Sequence, residues 1–293
     1  MKTKGLTMSI IFEAGSANYG ETIGNVASLK KLSRGKGDQY TYISRQALRY
    51  NIVNQMGIDN TEVDIDKSVV QFAPNATIDK YPEIDLFGYM KTSEGQKIRS
   101  AIVRLSHAIS LETFKGDLDF LTNKGLYDRY AKQENKSKDV KGGSIAQSEI
   151  HRSYYAYTLT ADLDKVGIDE NDDIEIENTE KADRIIKLLD TIRFLYRDIK
   201  GRREDLKPLF AIGGVYDIKN PIFHNALDIK NNRVNVNRVK AILCKDIEKD
   251  THCGLVEGVF DNDNEIIEEL EAVSMTEFFD IIKRKARSYY ESN

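Results

Sequence analysis

Residues 150–163 read IHRSYYAYTLTADL, and the fold turns on taking them as a strand. Tyrosine and threonine recur through the stretch, and these are residue types that a pleated, half-buried surface favours. The run IRSAIVRLSHAISLETF at 98–114 reads as a long strand and as its partner. Outward from this pair, LTMSIIFEA at 6–14 is a short apolar run suited to a buried strand. Ser44 is placed to cap a helix from Arg45 to about Gln55, which Gly57 stops. Asn178 or Thr179 caps a second helix, TEKADRIIKLLDTIRFLYRDIKG. Its apolar stripe is Ile185, Leu188, Leu189, Ile192, Leu195 and Tyr196, and Gly201 ends it. The strand LFAIGGVYDI at 209–218 follows. Short strands around 236–243 and 255–260 and a helix near Met275 to Tyr290 complete the chain. Strand, helix, strand, strand, helix, strand is an α+β order, that of the ferredoxin-like β-α-β-β-α-β unit. The pattern implies one domain over 1–293. An irregular insertion sits at 59–97, a long loop at 115–149, and an extension at 219–293.

The bulk numbers agree with a folded domain. The 293 residues are 40% hydrophobic with 15 tyrosines, enough for a sizeable core. Charged residues reach 31%, which calls for a large solvated surface. No apolar run of about 18 residues exists, so no membrane helix is expected. The apolar stretch after the basic start MKTK is too short for a signal peptide, which points to the cytoplasm. Cys244 and Cys253 form no Cys-x-x-Cys pattern and have only His252 nearby. They read as reduced structural cysteines, with no metal site and no cofactor. Four prolines argue against tethered modules.

Against a net charge of −4, residues 29–50, LKKLSRGKGDQYTYISRQALRY, stand out. Lys30, Lys31, Arg34, Lys36, Arg45 and Arg49 face a single acid, Asp38. Clustered like charges repel unless an anion offsets them. A Gly35-Lys36-Gly37 tip, the aromatics Tyr40 and Tyr42, and the N-terminus of a helix at Ser44–Gln46 could deliver amides, hydroxyls and guanidinium groups to a polyanion. Arg45 and Arg49, four apart, share a helix face. A solvated surface loop before an amphipathic helix is the plainer reading. The Gly-x-x-x-x-Gly-Lys-Ser/Thr loop of nucleotide triphosphatases is absent.

Other constellations are weaker. The 115–149 loop carries Lys124, Arg129, Lys132, Lys136, Lys138 and Lys141 with Gly142 and Gly143, diluted by Asp128, Glu134, Asp139 and Glu149. It is either solvated or an arm that orders on a polyanion or another subunit. His107 and His151, near facing ends of the central strand pair, could act as acid and base in RNA cleavage, but nothing else resembling a catalytic set accompanies them. Asp162/Asp164, Asp172/Asp173 and Asp261/Asp263 lack the glycine and terminal glutamate of a calcium loop and read as solvated turns and helix starts. Gly213 and Gly214 mark a bulge or a close backbone approach.

Four blocks carry a resemblance over nearly the whole chain: SIIFEAGSANYGETIGNVASLKKL, YTYISRQALRYNI, SHAISLETFKGDLDF and IHRSYYAYTLTADLDKVG. Together they resemble the repeated backbone subunit of type I CRISPR surveillance (Cascade) complexes, nearest the type I-B, DevR/Cst2-type member of the RAMP superfamily. The resemblance implies an RNA-recognition-motif palm with fingers from 59–97 and a thumb from 115–149. It implies copies joined head-to-tail along a crRNA guide, alongside other Cascade subunits, in antiviral defence. Target DNA would be met through guide pairing. Carried over by position, Lys30, Lys31, Arg34, Lys36, Ser44, Arg45, Gln46 and Arg49 would meet the guide backbone. Asn18 and Asn25 follow in the first loop, and Lys138, Lys141, Gly142 and Gly143 would touch RNA or the adjacent copy. Related type III subunits cleave RNA with an aspartate after the first strand. Here Glu13 and Glu21 precede the first aspartate, Asp38, so the resemblance implies no nuclease. A RAMP-type endoribonuclease acting through His107 or His151 is the alternative.

Overall fold

The computed structural model describes residues 3–93, 95–134 and 145–292. Strand β1 (Gly5–Ala14) runs through the middle of the main sheet and is buried along nearly all its length. The hairpin β2 (Lys31–Arg34) and β3 (Asp38–Ile43) leads into α1 (Arg45–Met56). Strands β4 (Val103–Leu105) and β5 (Ala108–Ser110) precede the long β6 (Ser153–Asp162). Helix α2 (Asn178–Arg193), β7 (Phe210–Tyr216), β8 (Thr251–Leu255) and α3 (Met275–Glu291) follow.

The strand order is Val273–Ser274, β8, β7, β1, β6, β5, β3, β2, with β4 also on β6. β1 is antiparallel to both neighbours, from Gly5 opposite Asp162 to Ala14 opposite Ser153, and from Gly5 opposite Tyr216 to Ile11 opposite Phe210. The strand-helix-strand-strand-helix-strand reading is therefore the topology of the core. The β7–β1–β6–β4/β5 arrangement is that of a ferredoxin-like sheet.

Alternation of side chains divides this sheet between two cores. On the inner face Met8, Ile10 and Phe12 of β1 and Tyr155 and Tyr157 of β6 meet α1, α2 and α3 through Leu48, Ile52, Leu188, Ile192, Phe278 and Ile282. On the outer face Ile11, Phe210, Ile212, Tyr216 and Cys253 are covered by Phe223, Val234, Val239, Phe260 and Ile266 of the C-terminal segment. Both faces of the centre are thus filled. At Gly213 and Gly214 an added Cβ would lie 2.0 Å from the Thr7 carbonyl oxygen and 1.9 Å from that of Asp250. The pairing register runs unbroken there, so the two glycines serve a close backbone approach and not a bulge.

Five local expectations are corrected. Residues 98–114 form no single strand. Lys97–Arg99 pairs with Tyr89–Lys91, and β4 and β5 take the β6 edge. Leu105 lies opposite Leu159 while Ile109 lies opposite Ala156, so one extra residue intervenes. This bulge at Ser106–His107 is held because the Ser106 hydroxyl accepts the Thr158 amide at 2.9 Å. Second, 115–149 is no simple loop. Asp117–Thr122 pairs with Ile145–Ile150, a helix spans Lys124–Glu134, and a four-stranded sheet adds Val26–Leu29 and Tyr19–Ile23.

Third, α2 is preceded by Glu177 and ends at Arg193. Its expected tail is a hairpin, Tyr196–Ile199 with Arg202–Asp205, because Lys200 and Gly201 both take positive φ (47° and 76°) as a two-residue primed turn requires. Fourth, the strand expected at 236–243 is a short helix, Val236–Lys240. Its buried valines fall three apart, and the Asn235 side chain accepts the Arg238 amide at 3.1 Å. Fifth, the short strand expected at 255–260 lies earlier, at Thr251–Leu255. By contrast, α1 runs as read, with Ser44 capping and Gly57 in the left-handed conformation.

The 59–97 segment holds a short hairpin, Val63–Asp66 with Val69–Phe72, the first strand of a second that closes at Lys97–Arg99, a helix Pro82–Phe87, and a small core of Ala76, Ile78, Ile84 and Tyr89. Asp85 joins it to the main body. Its carboxylate, 0% exposed, accepts from Arg99 Nη2 at 2.6 Å, Arg184 Nη1 at 2.8 Å and the Gly167 amide at 2.9 Å. Glu180 accepts from Arg184 Nε at 2.9 Å and balances the second guanidinium. Removing one partner from a buried ionic cluster leaves uncompensated charge, a loss of roughly 3–5 kcal/mol. Asp85→Ala is expected to lower unfolding stability by about that amount, read as a lower urea midpoint; an unchanged midpoint would show that the cluster holds nothing together.

Candidate nucleic-acid interface

Residues 29–50 occupy one edge of the main sheet. Lys31 and Thr41 begin the β2–β3 ladder and Arg34 and Asp38 close it, leaving Gly35, Lys36 and Gly37 as an exposed turn. Gly35 and Gly37 have φ of 56° and 105°, which only glycine adopts without strain. The chain then enters α1. The Ser44 hydroxyl accepts the Ala47 amide at 3.2 Å and the Asn18 side-chain amide at 3.2 Å. The Arg45 amide donates to His107 Nδ1 at 3.0 Å. The next amide, that of Gln46, points along the first turn with no intrahelical acceptor.

The six basic residues are not equivalent. Lys31 pairs with Glu149 at 2.7 Å and lies 4.2 Å from the Phe114 ring centroid. Glu149 also accepts the Leu29 amide at 2.8 Å, so it ties the hairpin to the neighbouring sheet. Arg49 lies over the Phe87 ring at 5.1 Å and 3.6 Å from Glu83, with its side chain 38% exposed. Burial lowers its pKa, an effect that Glu83 opposes. Among the described residues, no carboxylate lies within ion-pair distance of Lys30, Arg34, Lys36 or Arg45. Arg45 and Gln46 are exposed and line a shallow cleft with Phe87 and Arg104.

Asn18 is buried. Its oxygen accepts from Arg197 Nη2 at 3.4 Å, and the Lys30 amide donates to its carbonyl at 2.7 Å. It supports the N-terminus of α1 from behind. Asn25 is exposed in a turn, where its carbonyl accepts the Gln147 amide at 2.9 Å. Lys124, Arg129 and Lys132 are exposed on the Lys124–Glu134 helix. Lys136, Lys138, Lys141, Gly142 and Gly143 lie outside the described residues.

The two histidines separate. Their neighbours Thr41 and Tyr42 are consecutive on β3, and consecutive strand residues point to opposite faces. His151 is 5% exposed, with its Nδ1 at 2.8 Å from the Thr41 hydroxyl and its ring against Phe114 and Tyr155. His107 sits on the bulge, edge-on to Tyr42 at 5.2 Å. Its pKa is lowered by burial first and then by the positive charges of Arg45 and Lys30. The imidazole thus registers the local positive field and stays neutral at pH 7.

The hairpin at 196–205 supports the site although no motif in its sequence announces it. Arg197 donates to the Ala17 carbonyl, Arg202 to the Ser16 hydroxyl, and Glu204 accepts the Ser16 amide at 2.8 Å. Lys200 lies 3.9 Å from the Tyr19 ring centroid. These residues fasten the loop after β1 behind α1. Their one sequence signal, the run YRDIKGRRED, is masked by its position after an amphipathic helix. The first acidic pair is structural. Asp162 is buried against Arg104 at 3.0 Å, contrary to a solvated turn, and Asp164 pairs with Lys219 at 2.6 Å. Cys253 is buried and Cys244 exposed. Among the described residues, no group of three or more potential metal ligands converges, and no helix is long and apolar enough to cross a membrane.

A family model described as "CRISPR-associated negative auto-regulator DevR/Csa2" matches residues 6–237, from β1 through the start of the Val236–Lys240 helix. The chain belongs to the DevR/Csa2 family. Solved structures extend the likeness of this DevR/Csa2 chain over its full length. A chain of a "CRISPR RNA-guided surveillance complex, pre-nicking" superposes with a TM-score of 0.61 at 12% identity, covering 96% of this chain and 100% of that one. A chain of a second "CRISPR RNA-guided surveillance complex" gives 0.58 at 15% identity, covering 99% of each. At those identities the fold is what is shared. No curated protein matches.

The polarised histidine supplies a test. By NMR, His107 is expected to titrate below the ordinary value of about 6.5, and Lys30→Ala with Arg45→Ala to raise its pKa while burial keeps it depressed. A depressed histidine pKa favours the neutral form in the fold. Its contribution to stability is therefore full above the unfolded value and is lost as pH falls through the folded one. A His107 pKa that does not respond to the double substitution would remove the cation cluster from its surroundings.

Proposed function

We propose that this DevR/Csa2 chain is a non-catalytic crRNA-binding subunit that lines up in copies along a guide RNA, forming the backbone of a type I CRISPR surveillance complex of the I-B kind in antiviral defence. The observation that carries the reading is the set of cations at the β2–β3 edge and the N-terminus of α1. Among the described residues, Lys30, Arg34, Lys36 and Arg45 have no carboxylate partner, and the Gln46 amide, left over once His107 and Ser44 take those of Arg45 and Ala47, lies beside them. An RNA phosphate backbone supplies the missing anion. The likeness to chains of two surveillance complexes supports the same assignment.

The filled sheet indicates how RNA would be held. In RNA-recognition domains, aromatic residues on an open sheet face stack bases. Here the C-terminal segment covers that face. Contact then falls to phosphates at the edge, which carry no sequence information. Such contact suits a guide of any sequence whose bases must remain free to pair with target DNA. Copies stacked head-to-tail, other complex subunits and a cytoplasmic setting belong to this reading. A cleaving role is disfavoured by His151, which is closed in by Thr41, Phe114 and Tyr155. Lys31 and Arg49 serve mainly to hold the edge in shape.

Binding of single-stranded RNA to the full chain across a salt series tests the proposal. Lys30→Ala with Arg45→Ala is expected to weaken every sequence alike and to flatten the salt slope by about 0.7 for each phosphate left without its cation. Unchanged affinity and slope would refute a phosphate site here. Incubated with CRISPR repeat RNA in chelator, the wild-type protein is expected to leave it intact; specific cleavage abolished by His107→Ala would establish the nuclease instead.

A further inference from the structure

The cation cluster does not end at α1. Against the outer face of the sheet, between the β2–β3 hairpin and the covering C-terminal segment, lies a cleft of about 230 Å³. Arg34 and Tyr40 line it from the hairpin and His107 from the bulge. His224, Asp228 and Arg238 line it from the C-terminal segment. Arg34 lies over the Tyr40 ring at 5.7 Å. Asp228 is 3.8 Å from Arg238, too far for a hydrogen bond, and both side chains are about half exposed. One loosely held carboxylate thus shares the cleft with two guanidinium groups on opposite walls. His224 Nδ1 lies 3.3 Å from the Thr158 hydroxyl, which ties the C-terminal wall of the cleft to β6.

His107 belongs to both places: it lines the cleft and accepts the Arg45 amide. Cleft and helix N-terminus therefore share a wall, and a strand leaving α1 meets the cleft next. We propose that the cleft takes a backbone phosphate of single-stranded RNA, gripped by Arg34 from the hairpin and Arg238 from the C-terminal segment. Guanidinium forks match phosphate oxygens better than lysine point charges do. The proposal rests on the RNA-binding reading above and extends it to residues 219–240, where neither composition nor motif points to RNA. The C-terminal segment is then more than a cover for the sheet, since it supplies the far wall of the groove.

Fluorescence anisotropy of the full chain with a labelled oligouridine tests this, in parallel with Lys30→Ala/Arg45→Ala. Arg238→Ala is expected to weaken binding roughly tenfold, the scale of one charged hydrogen bond, and to lower the salt slope by about 0.7. Asp228→Asn, which frees Arg238 from its competitor, is expected to tighten binding. Arg287→Ala, on α3 and paired with Asp183, should match wild type. Inorganic phosphate at matched ionic strength is expected to compete only weakly; full displacement of RNA by it at millimolar levels would make the cleft a free-phosphate site and overturn the proposal. So would Arg238→Ala behaving like Arg287→Ala, or Asp228→Asn weakening binding as Arg238→Ala does, the mark of a purely structural pair. If Arg238→Ala is neutral while Lys30→Ala/Arg45→Ala weakens binding, the cleft fails and the helix site stands. If both are neutral, the RNA reading fails.

Discussion

The pairing of β1 with β6 along ten residues, and with β7 on its other edge, governs where the remaining chain can go. A strand bonded on both edges, with Met8, Ile10 and Phe12 on one face and Ile11 beside the buried hydroxyls of Thr7 and Ser9 on the other, needs cover above and below. Helices α1, α2 and α3 provide it on one side, and residues 222–270 on the other. The second cover takes away the open face on which a sheet of this topology could stack bases. What is left to solvent is the edge, where the hairpin and the N-terminus of α1 converge.

That edge is built by several small devices acting together. The Ser106 hydroxyl takes a ladder amide and turns His107 outward. His107 takes the Arg45 amide, and Ser44 caps the same helix while Asn18 and Arg197 hold it from behind. Glu149 and Glu83 draw off Lys31 and Arg49. A strip of six like charges is thereby sorted into two that fasten the scaffold and four that, among the described residues, have no carboxylate partner. Repulsion among exposed cations in water is of order 1 kcal/mol per close pair, small beside the roughly 3–5 kcal/mol at stake in a buried cluster such as that of Asp85. The fold can carry the unpaired charges, and an anion would turn that repulsion into attraction.

Much of this was legible in the sequence where local chemistry decides. Ser44 and Gly57 bounded α1 because capping and left-handed backbone are properties of single residues. The apolar stripe of α2 predicted its packing, and the order of elements predicted the sheet. What escaped was either a one-residue event or a distant pairing. The bulge at Ser106–His107 leaves the composition of 98–114 unchanged. The Lys200-Gly201 turn is hidden because Leu195 and Tyr196 prolong the helical apolar rhythm past Arg193. The partners of Lys31 and Arg49 lie 118 and 34 positions away, and no spacing rule brings Glu149 or Glu83 to them. The hydroxyl of Ser106 and the charge on Asp85 matter only through neighbours that the fold assembles.

On this view RNA lies along the β2–β3 edge of the sheet and the cleft beside it, and not across the central strands. Ultraviolet crosslinking of the full chain, co-expressed with its guide RNA, followed by mass spectrometry of the crosslinked peptides, tests it most directly. Crosslinks are expected within residues 30–46 and at His107. Crosslinks confined to β7 or β8, or protein that carries no RNA through purification, would contradict it.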